Sequence, residues 1–310
     1  MEKVTHTEES TSNDTTKAGS VLSGKLMTAQ EIHQKAKERE AAKNPLNGLI
    51  PIAPITRTPE FSVISCSIQD QRFNQIEQAY KQALAGEDYE LIRIKDATGL
   101  AEGYIRGLAQ ARGRYIIFTH DDAAPLRPIG SKLRRHFREA DIIGGAGSDR
   151  LDGPAWFTAG PPHCFGQVLN RVPNKDEWLL SVYGIPKALV HGIEAIDGFW
   201  MAVNRDAIKY PEEMFNSALC DGFHMYDVDF SYRAFNSGWR VAVACDLSLA
   251  HASVGGYGDP KWKPAADKWM EVYGKTLHEH QPHGFQITSI SGTDVNDMLQ
   301  VMDYFVERTR

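Results

Sequence analysis

Glycine is missing where a dinucleotide-binding fold would need it. The turn after the first apolar strand reads S-I-Q-D-Q-R from Ser67 to Arg72, without the small residues that let backbone N–H groups approach a pyrophosphate. The glycine cluster at Gly144 to Gly147 follows a later strand and runs into an irregular loop, and no P-loop is present. Cysteine is scarce as well. Cys66, Cys164, Cys220 and Cys245 show no C-x-x-C spacing, which excludes a disulfide framework and a thiolate zinc site. Cys66 and Cys245 sit in apolar runs and read as core thiols of a reducing compartment. No apolar stretch approaches the ~20 residues of a membrane span, and the N-terminus has no apolar signal core. A soluble, cytoplasmic protein with no integral membrane segment is therefore expected. Positive charge is not in surplus: 34 Lys and Arg face 40 Asp and Glu, for a net charge of -6. Nucleic acid is thus not an expected partner, and any phosphates of a substrate have to be met locally, by a few cations or by a metal ion.

What is present is enough for one large α/β domain with appendages, since the chain has 310 residues of which 42% are hydrophobic. Residues 1 to 24 are polar and predict a disordered tail; Thr28 to Lys43 predicts a helix, and Pro51, Pro54 and Pro59 mark an extended linker, so residues 25–60 form a helix-and-linker unit. From Phe61 a strand and helix alternation begins. Strands are expected at Phe61 to Cys66, Tyr89 to Ile94 and Tyr115 to Thr119, with helices at Arg72 to Ala85 and Leu100 to Arg112. A helix at Ile129 to Glu139 and a strand at Asp141 to Ala146 follow. The segment Gly147 to Val190, rich in Pro, Gly and aromatics, is too long for a connector and predicts an irregular, site-shaping region. Further on come a strand at Ile193 to Val203, a helix at Tyr226 to Ser237, a strand at Arg240 to Cys245, and closing helices at Lys263 to Tyr273 and Asp294 to Glu307, the last capped by Thr293. The fold class is α/β, a doubly wound mixed sheet with flanking helices.

Three residue clusters stand out. His120-Asp121-Asp122 follows the third strand, at the carboxyl edge where open α/β sheets bind ligands. Residues two apart in an extended chain point the same way, so His120 and Asp122 can converge on one ion or ribose while Asp121 faces elsewhere; a capping turn is the structural alternative. Asp227 and Asp229 open a helix, ~200° apart around its axis, so only one of them can serve a given site. Capping and the macrodipole account for Asp229, whose replacement by Asn should cost at most about 1 kcal/mol; Asp227 is the candidate general base. His251 precedes a loop containing Gly255, Gly256 and Gly258, in which Tyr257, Lys261 and Trp262 could cover a phosphorylated ligand.

The stretch from about Phe61 to Tyr273 resembles the family-2-like glycosyltransferases of GT-A fold, within them a bacterial subgroup with an H-x-D motif and a Y-D-v-D-f signature. Four pieces carry the likeness in order: A-R-G-R-Y-I-I-F-T-H-D-D, I-D-G-F-W-M-A-V-N-R-D, G-F-H-M-Y-D-V-D-F-S-Y-R and L-A-H-A-S. The resemblance implies a GT-A domain over 61–275 and a helical extension over 276–310. It puts His120 and Asp122 where the family has its D-x-D metal motif, with His251 as a further metal ligand and Asp227 as base. It puts Ser67, Asp96, Asp121 and Lys261 with the nucleotide, and Gly198, Trp200 and His224 with the sugar or acceptor. Two departures are evident: His120 replaces the first Asp, and Ile105 stands where relatives often have Asn.

The implied enzyme is a metal-dependent, inverting, hexosyltransferase-like glycosyltransferase. It takes a nucleotide-sugar donor, UDP-sugar before GDP-sugar, and a saccharide or other hydroxyl acceptor. Mn2+ is expected before Mg2+, because imidazole suits the softer ion. Trp156, Phe157, Trp178 and Trp200 are candidate sugar platforms, with core packing as the alternative. A sugar nucleotidyltransferase would carry a basic glycine-rich loop after the first strand, which is absent here. A non-catalytic sugar-nucleotide or glycan-binding protein on the same fold is the rival of a different class.

Overall fold

The computed structural model describes residues 58–207, 214–253, 258–281 and 287–309. The expected tail, the helix at Thr28 to Lys43 and the glycines at 255 and 256 lie outside the described residues. Mostly apolar runs form the first and third strands, because both of their faces are covered, whereas the second reads YELIRI and is a half-buried edge strand. β1 (Phe61–Cys66), β2 (Tyr89–Ile94) and β3 (Tyr115–Thr119) pair in parallel, with Val63 opposite both Leu91 and Ile117. α1 (Asp70–Ala83) and α2 (Leu100–Gln110) make the crossovers. Two glycines let α2 lie close on the sheet: a Cβ at Gly107 would meet Ile64 at 2.3 Å, and one at Gly103 would meet the Cys66 sulfur at 2.4 Å. Contact at this range outweighs the roughly 1 kcal/mol that each glycine costs a helix.

After β3 come β4 (Ala123–Pro125), α3 (Gly130–His136), β5 (Ile142–Gly144) and β6 (Ala146–Ser148). The single strand expected over 141–146 is therefore two, divided at Gly145, where a Cβ would strike Leu249 at 2.5 Å and Phe199 at 2.6 Å. The segment expected to be irregular contains β7 (Cys164–Arg171) and β8 (Trp178–Tyr183), followed by β9 (Val190–His191). The strand expected over 193–203 also divides, into β10 (Ala195–Ile196) and β11 (Trp200–Asn204). α4 (Tyr226–Asn236), β12 (Val241–Val243), β13 (Leu249–His251), α5 (Trp262–Tyr273), β14 (Thr288–Gly292) and α6 (Val295–Glu307) complete the described elements.

Two mixed sheets result. One has the order β2-β1-β3-β11-β5-β12-β9, with β11 antiparallel to both β3 and β5; the other runs β10-β6-β7-β13-β4, with β8 paired to β7 and β14. The chain crosses between the sheets repeatedly, among other places between β5 and β6 and between β10 and β11. Asp197, Gly198 and Phe199 occupy the passage between β10 and β11. The core lies on the first sheet, where Val63, Ile64, Ile116, Ile117, Phe118, Ala202 and Val203 are fully buried. The C-terminal extension is not only helical: β14 pairs with β8, and α6 packs Met298, Leu299 and Met302 on Leu169, Leu180 and Val182. Its cap is Asp294, which accepts the Asn296 N–H at 2.7 Å, and not Thr293. No helix among the described residues is long and apolar enough to cross a membrane.

Candidate active site

The turn leaving β3 is fixed by Thr119, whose hydroxyl donates to the Ala123 carbonyl at 2.9 Å, and by the His120 N–H, which donates to the Phe199 carbonyl at 3.0 Å. Antiparallel pairing then sets His251 of β13 opposite Ala123 of β4, and the Ala252 N–H donates to the Asp122 carbonyl at 2.9 Å. His251 is thereby delivered to Asp122 across ~130 residues of sequence, its Nε2 lying 3.3 Å from Oδ1. Phe199 stacks on the His251 ring at 5.0 Å, and the Asn170 amide donates to the His251 and Ser253 carbonyls. One nitrogen or oxygen from each of His120, Asp122 and His251 lies within 4.8 Å of the others.

The electrostatics of this cluster favour cation binding. Burial, and then the neighbouring His251, push His120 down to about 4, so the ring is neutral and has a lone pair to offer. Burial acts to raise Asp122, but the hydrogen bond and charge of His251 prevail and hold it at about 2. His120 Nε2 lies 2.6 Å from the Tyr226 hydroxyl, a contact that orients the ring. Asp121 points away as the strand period requires, accepting from Ser67 Oγ at 2.9 Å and from Arg72 at 3.2 Å.

A cavity of about 550 Å³ opens on the side of Asp121, and Ser67, Lys95, Asp96, Asp122 and His224 line it. Three residues expected at the nucleotide, Ser67, Asp96 and Asp121, thus share one cavity. Asp96 is ion-paired at 2.6 Å to Arg106, which lies nearly two helical turns into α2 and carries no local sequence signal for this role. Lys261 is not brought there. It faces a separate cavity of about 640 Å³ with Asp259 and Lys268, and its N–H donates to Asp259.

Asp227 stands in the first turn of α4, facing a small cavity of about 100 Å³ that it shares with His120, Asp197, His224 and His251. Its Oδ2 accepts the Gly198 N–H at 2.8 Å. Burial, and secondarily the charge of Asp197, raise its carboxyl to about 7, a value suited to a base near neutral pH. Asp197 was not singled out in the sequence, where D-G after a strand reads as an ordinary turn. In the structure it accepts from Trp156 Nε1 at 2.9 Å and from the Phe199 N–H at 3.1 Å. Gly198 lies between the two carboxylates, and a Cβ there would meet the Tyr226 hydroxyl at 2.1 Å. Met225, just before α4, adopts a left-handed φ of 66°, a strained conformation of the kind that collects at functional sites.

Other expectations are corrected. Trp200 faces no substrate: it is fully buried and its indole N–H donates to Tyr80 Oη at 2.9 Å, because both faces of β11 are covered. Trp156 is likewise core. Trp178 lines a cavity of about 590 Å³ beside Arg171. Asp229 is no cap. Its carboxylate is fully buried and accepts from Arg233 Nε at 2.8 Å, one helical turn on.

A family model described as a glycosyltransferase-like family matches residues 62–265, the span that holds both sheets' site-bearing strands and α4. The chain belongs to this glycosyltransferase-like family. Its mixed α/β architecture is that of a GT-A glycosyltransferase, and its class of reaction is glycosyl transfer. No curated protein matches. Among solved structures, A197 from STIV is similar at 12% identity and a TM-score of 0.35, covering 63% of this chain and 95% of that one. A mannosyltransferase, PcManGT from Pyrobaculum calidifontis, solved in complex with GDP-Man and Mn2+, is similar at 13% identity and a TM-score of 0.39, covering 82% of this glycosyltransferase and 73% of its own chain.

Proposed function

We propose that this glycosyltransferase moves a sugar from a nucleoside-diphosphate donor to a hydroxyl acceptor with inversion, using Asp227 as the base. The observation that carries this reading is the shared cavity, in which Asp227 faces His120 and His251, two of the three residues of the cluster that Asp122 completes. The neutral His120 ring and the ionised Asp122 carboxylate, with the His251 ring beside them, fit a divalent cation, and the nitrogen-rich set favours Mn2+ over Mg2+. When bound, such an ion supplies positive charge against a departing diphosphate.

The chain's own residues would perform the rest. Asp227 accepts the proton of the acceptor hydroxyl as its oxygen bonds to the anomeric carbon; the bond from that carbon to the diphosphate breaks, and its electron pair leaves with the diphosphate. The Gly198 N–H fixes the Asp227 carboxylate, and the charge of Asp197 keeps it basic. Ser67 and Asp121 lie in the cavity suited to the nucleotide, UDP before GDP. Four free cysteines support a reducing, cytoplasmic setting.

Calorimetric titration of UDP, GDP and their sugars tests the metal assignment, using wild type, Asp122→Ala and His251→Ala with Mn2+ or with EDTA. Wild-type affinity should fall at least about tenfold in EDTA, and both variants should lose most of the response to Mn2+. Equal affinity in every case refutes the metal role.

A further inference from the structure

The donor-side and base-side cavities meet at four residues that line both: His120, Phe223, His224 and Ser253. In an in-line transfer the anomeric carbon must reach both the diphosphate and the acceptor oxygen, so the transferred sugar has to lie at that seam. Phe223 is the one large apolar side chain among the four. It is 49% exposed, and of the four large hydrophobic side chains exposed among the described residues, two, Phe223 and Ile68, line the donor-side cavity.

Its exposure is enforced by the surrounding structure. Gly222 offers its carbonyl to the Leu100 N–H at 2.9 Å, and Asp221 pairs with Lys268 at 2.8 Å. On the other side His224 pairs with Asp259 at 3.0 Å, and Met225 turns the chain through its left-handed φ into α4. A tip held by three elements presents its central ring outward in a defined place.

We infer that Phe223 is the platform on which the donor's sugar ring packs, holding it between the diphosphate and Asp227. A pyranose presents a face of C–H groups, and an aromatic ring covers such a face while leaving the hydroxyls free for polar partners. The inference rests on the proposed transferase reading. It makes Phe223 a substrate-contacting, specificity-determining residue that acts on the sugar and not on the nucleotide.

The test compares free nucleotides with their sugars on the full chain. Wild type, Phe223→Ala, Phe223→Leu and Phe223→Tyr are titrated with UDP, GDP, UDP-glucose, UDP-N-acetylglucosamine and GDP-mannose, all with Mn2+. For the donor that wild type binds, Phe223→Ala should weaken the nucleotide-sugar about five- to tenfold, the scale of one aromatic contact, and leave the free nucleotide within about twofold. Phe223→Tyr should restore binding and Phe223→Leu should not. Equal weakening of nucleotide and nucleotide-sugar overturns the inference in favour of a base platform or a general loss of the tip. Unchanged affinities, or full retention by Phe223→Leu, overturn it too. If wild type binds no nucleotide at all, the transferase reading and the platform fall together, whereas nucleotide binding with an unchanged ratio removes only the platform.

Discussion

Replacing Asp227 by Asn should abolish turnover and at the same time stabilise the protein, and the size of that gain should depend on pH. Burial and the nearby Asp197 raise the Asp227 carboxyl from 3.8 to about 7. A folded-state value above the unfolded one means that the native protein holds the proton more tightly. The associated stability is fully present below about pH 3.8 and is lost as pH rises towards 7. At 1.36 kcal/mol per pH unit, the ionised group costs the fold about 4 kcal/mol by pH 8 and about 2 kcal/mol at pH 5.5. Asn is close in shape, and its carbonyl can still accept the Gly198 N–H, so Asp227→Asn removes this cost without breaking the local geometry. Its advantage over wild type should therefore shrink by about 2 kcal/mol between pH 8 and 5.5, or roughly 4 to 8 °C in unfolding midpoint. Thermal unfolding at both pH values, with EDTA present so that no cation offsets the carboxylates, measures this directly. Turnover should fall at least about 10²-fold. An Asp227→Asn protein less stable than wild type at pH 8, or one whose stability difference ignores pH, would refute the account of a desolvated, repelled carboxylate.

The neighbouring carboxylate should behave in the opposite way. Asp229→Asn leaves the buried Arg233 guanidinium without its counter-charge and should cost about 3 to 5 kcal/mol in urea unfolding, well above what loss of a cap would cost; pairing it with Arg233→Met should recover much of that loss, and a single variant within 1 kcal/mol of wild type refutes the pairing. Gly198→Ala puts a methyl group against the Tyr226 hydroxyl and the Asp227 Cβ. It should lower stability by about 1 to 3 kcal/mol, the cost of overpacking, and lower turnover further than the stability loss explains, as seen by comparing activity at a temperature where the variant remains folded.

Much of the framework was legible because it is written locally. The strands Phe61–Cys66, Tyr89–Ile94 and Tyr115–Thr119 have the bounds that their local patterns predict. The two-residue period of a strand told His120 and Asp122 from Asp121, and the helical period told Asp227 from Asp229. The sequence also carries the signal for the Asp229 pairing, since Arg233 stands four residues on, the spacing at which helix side chains meet. The second sheet was hidden in a segment broken by Gly166 and Gly184, both at positive φ, whose strands pair with partners far along the chain.

The sequence by itself determined the first three strands and the order of the helices from Asp70 onward, the absence of a glycine phosphate loop, and the direction in which each candidate side chain leaves its own backbone. These follow from local dihedral preferences and side-chain period, which need no partner. Only the tertiary structure decided what each side chain meets: that His251 reaches Asp122, that Asp197 faces Asp227, that Trp200 is core and that Phe223 is not. Those outcomes depend on contacts between segments from about thirty to more than a hundred residues apart and on which faces a second sheet covers, and neither is encoded in any single stretch of chain.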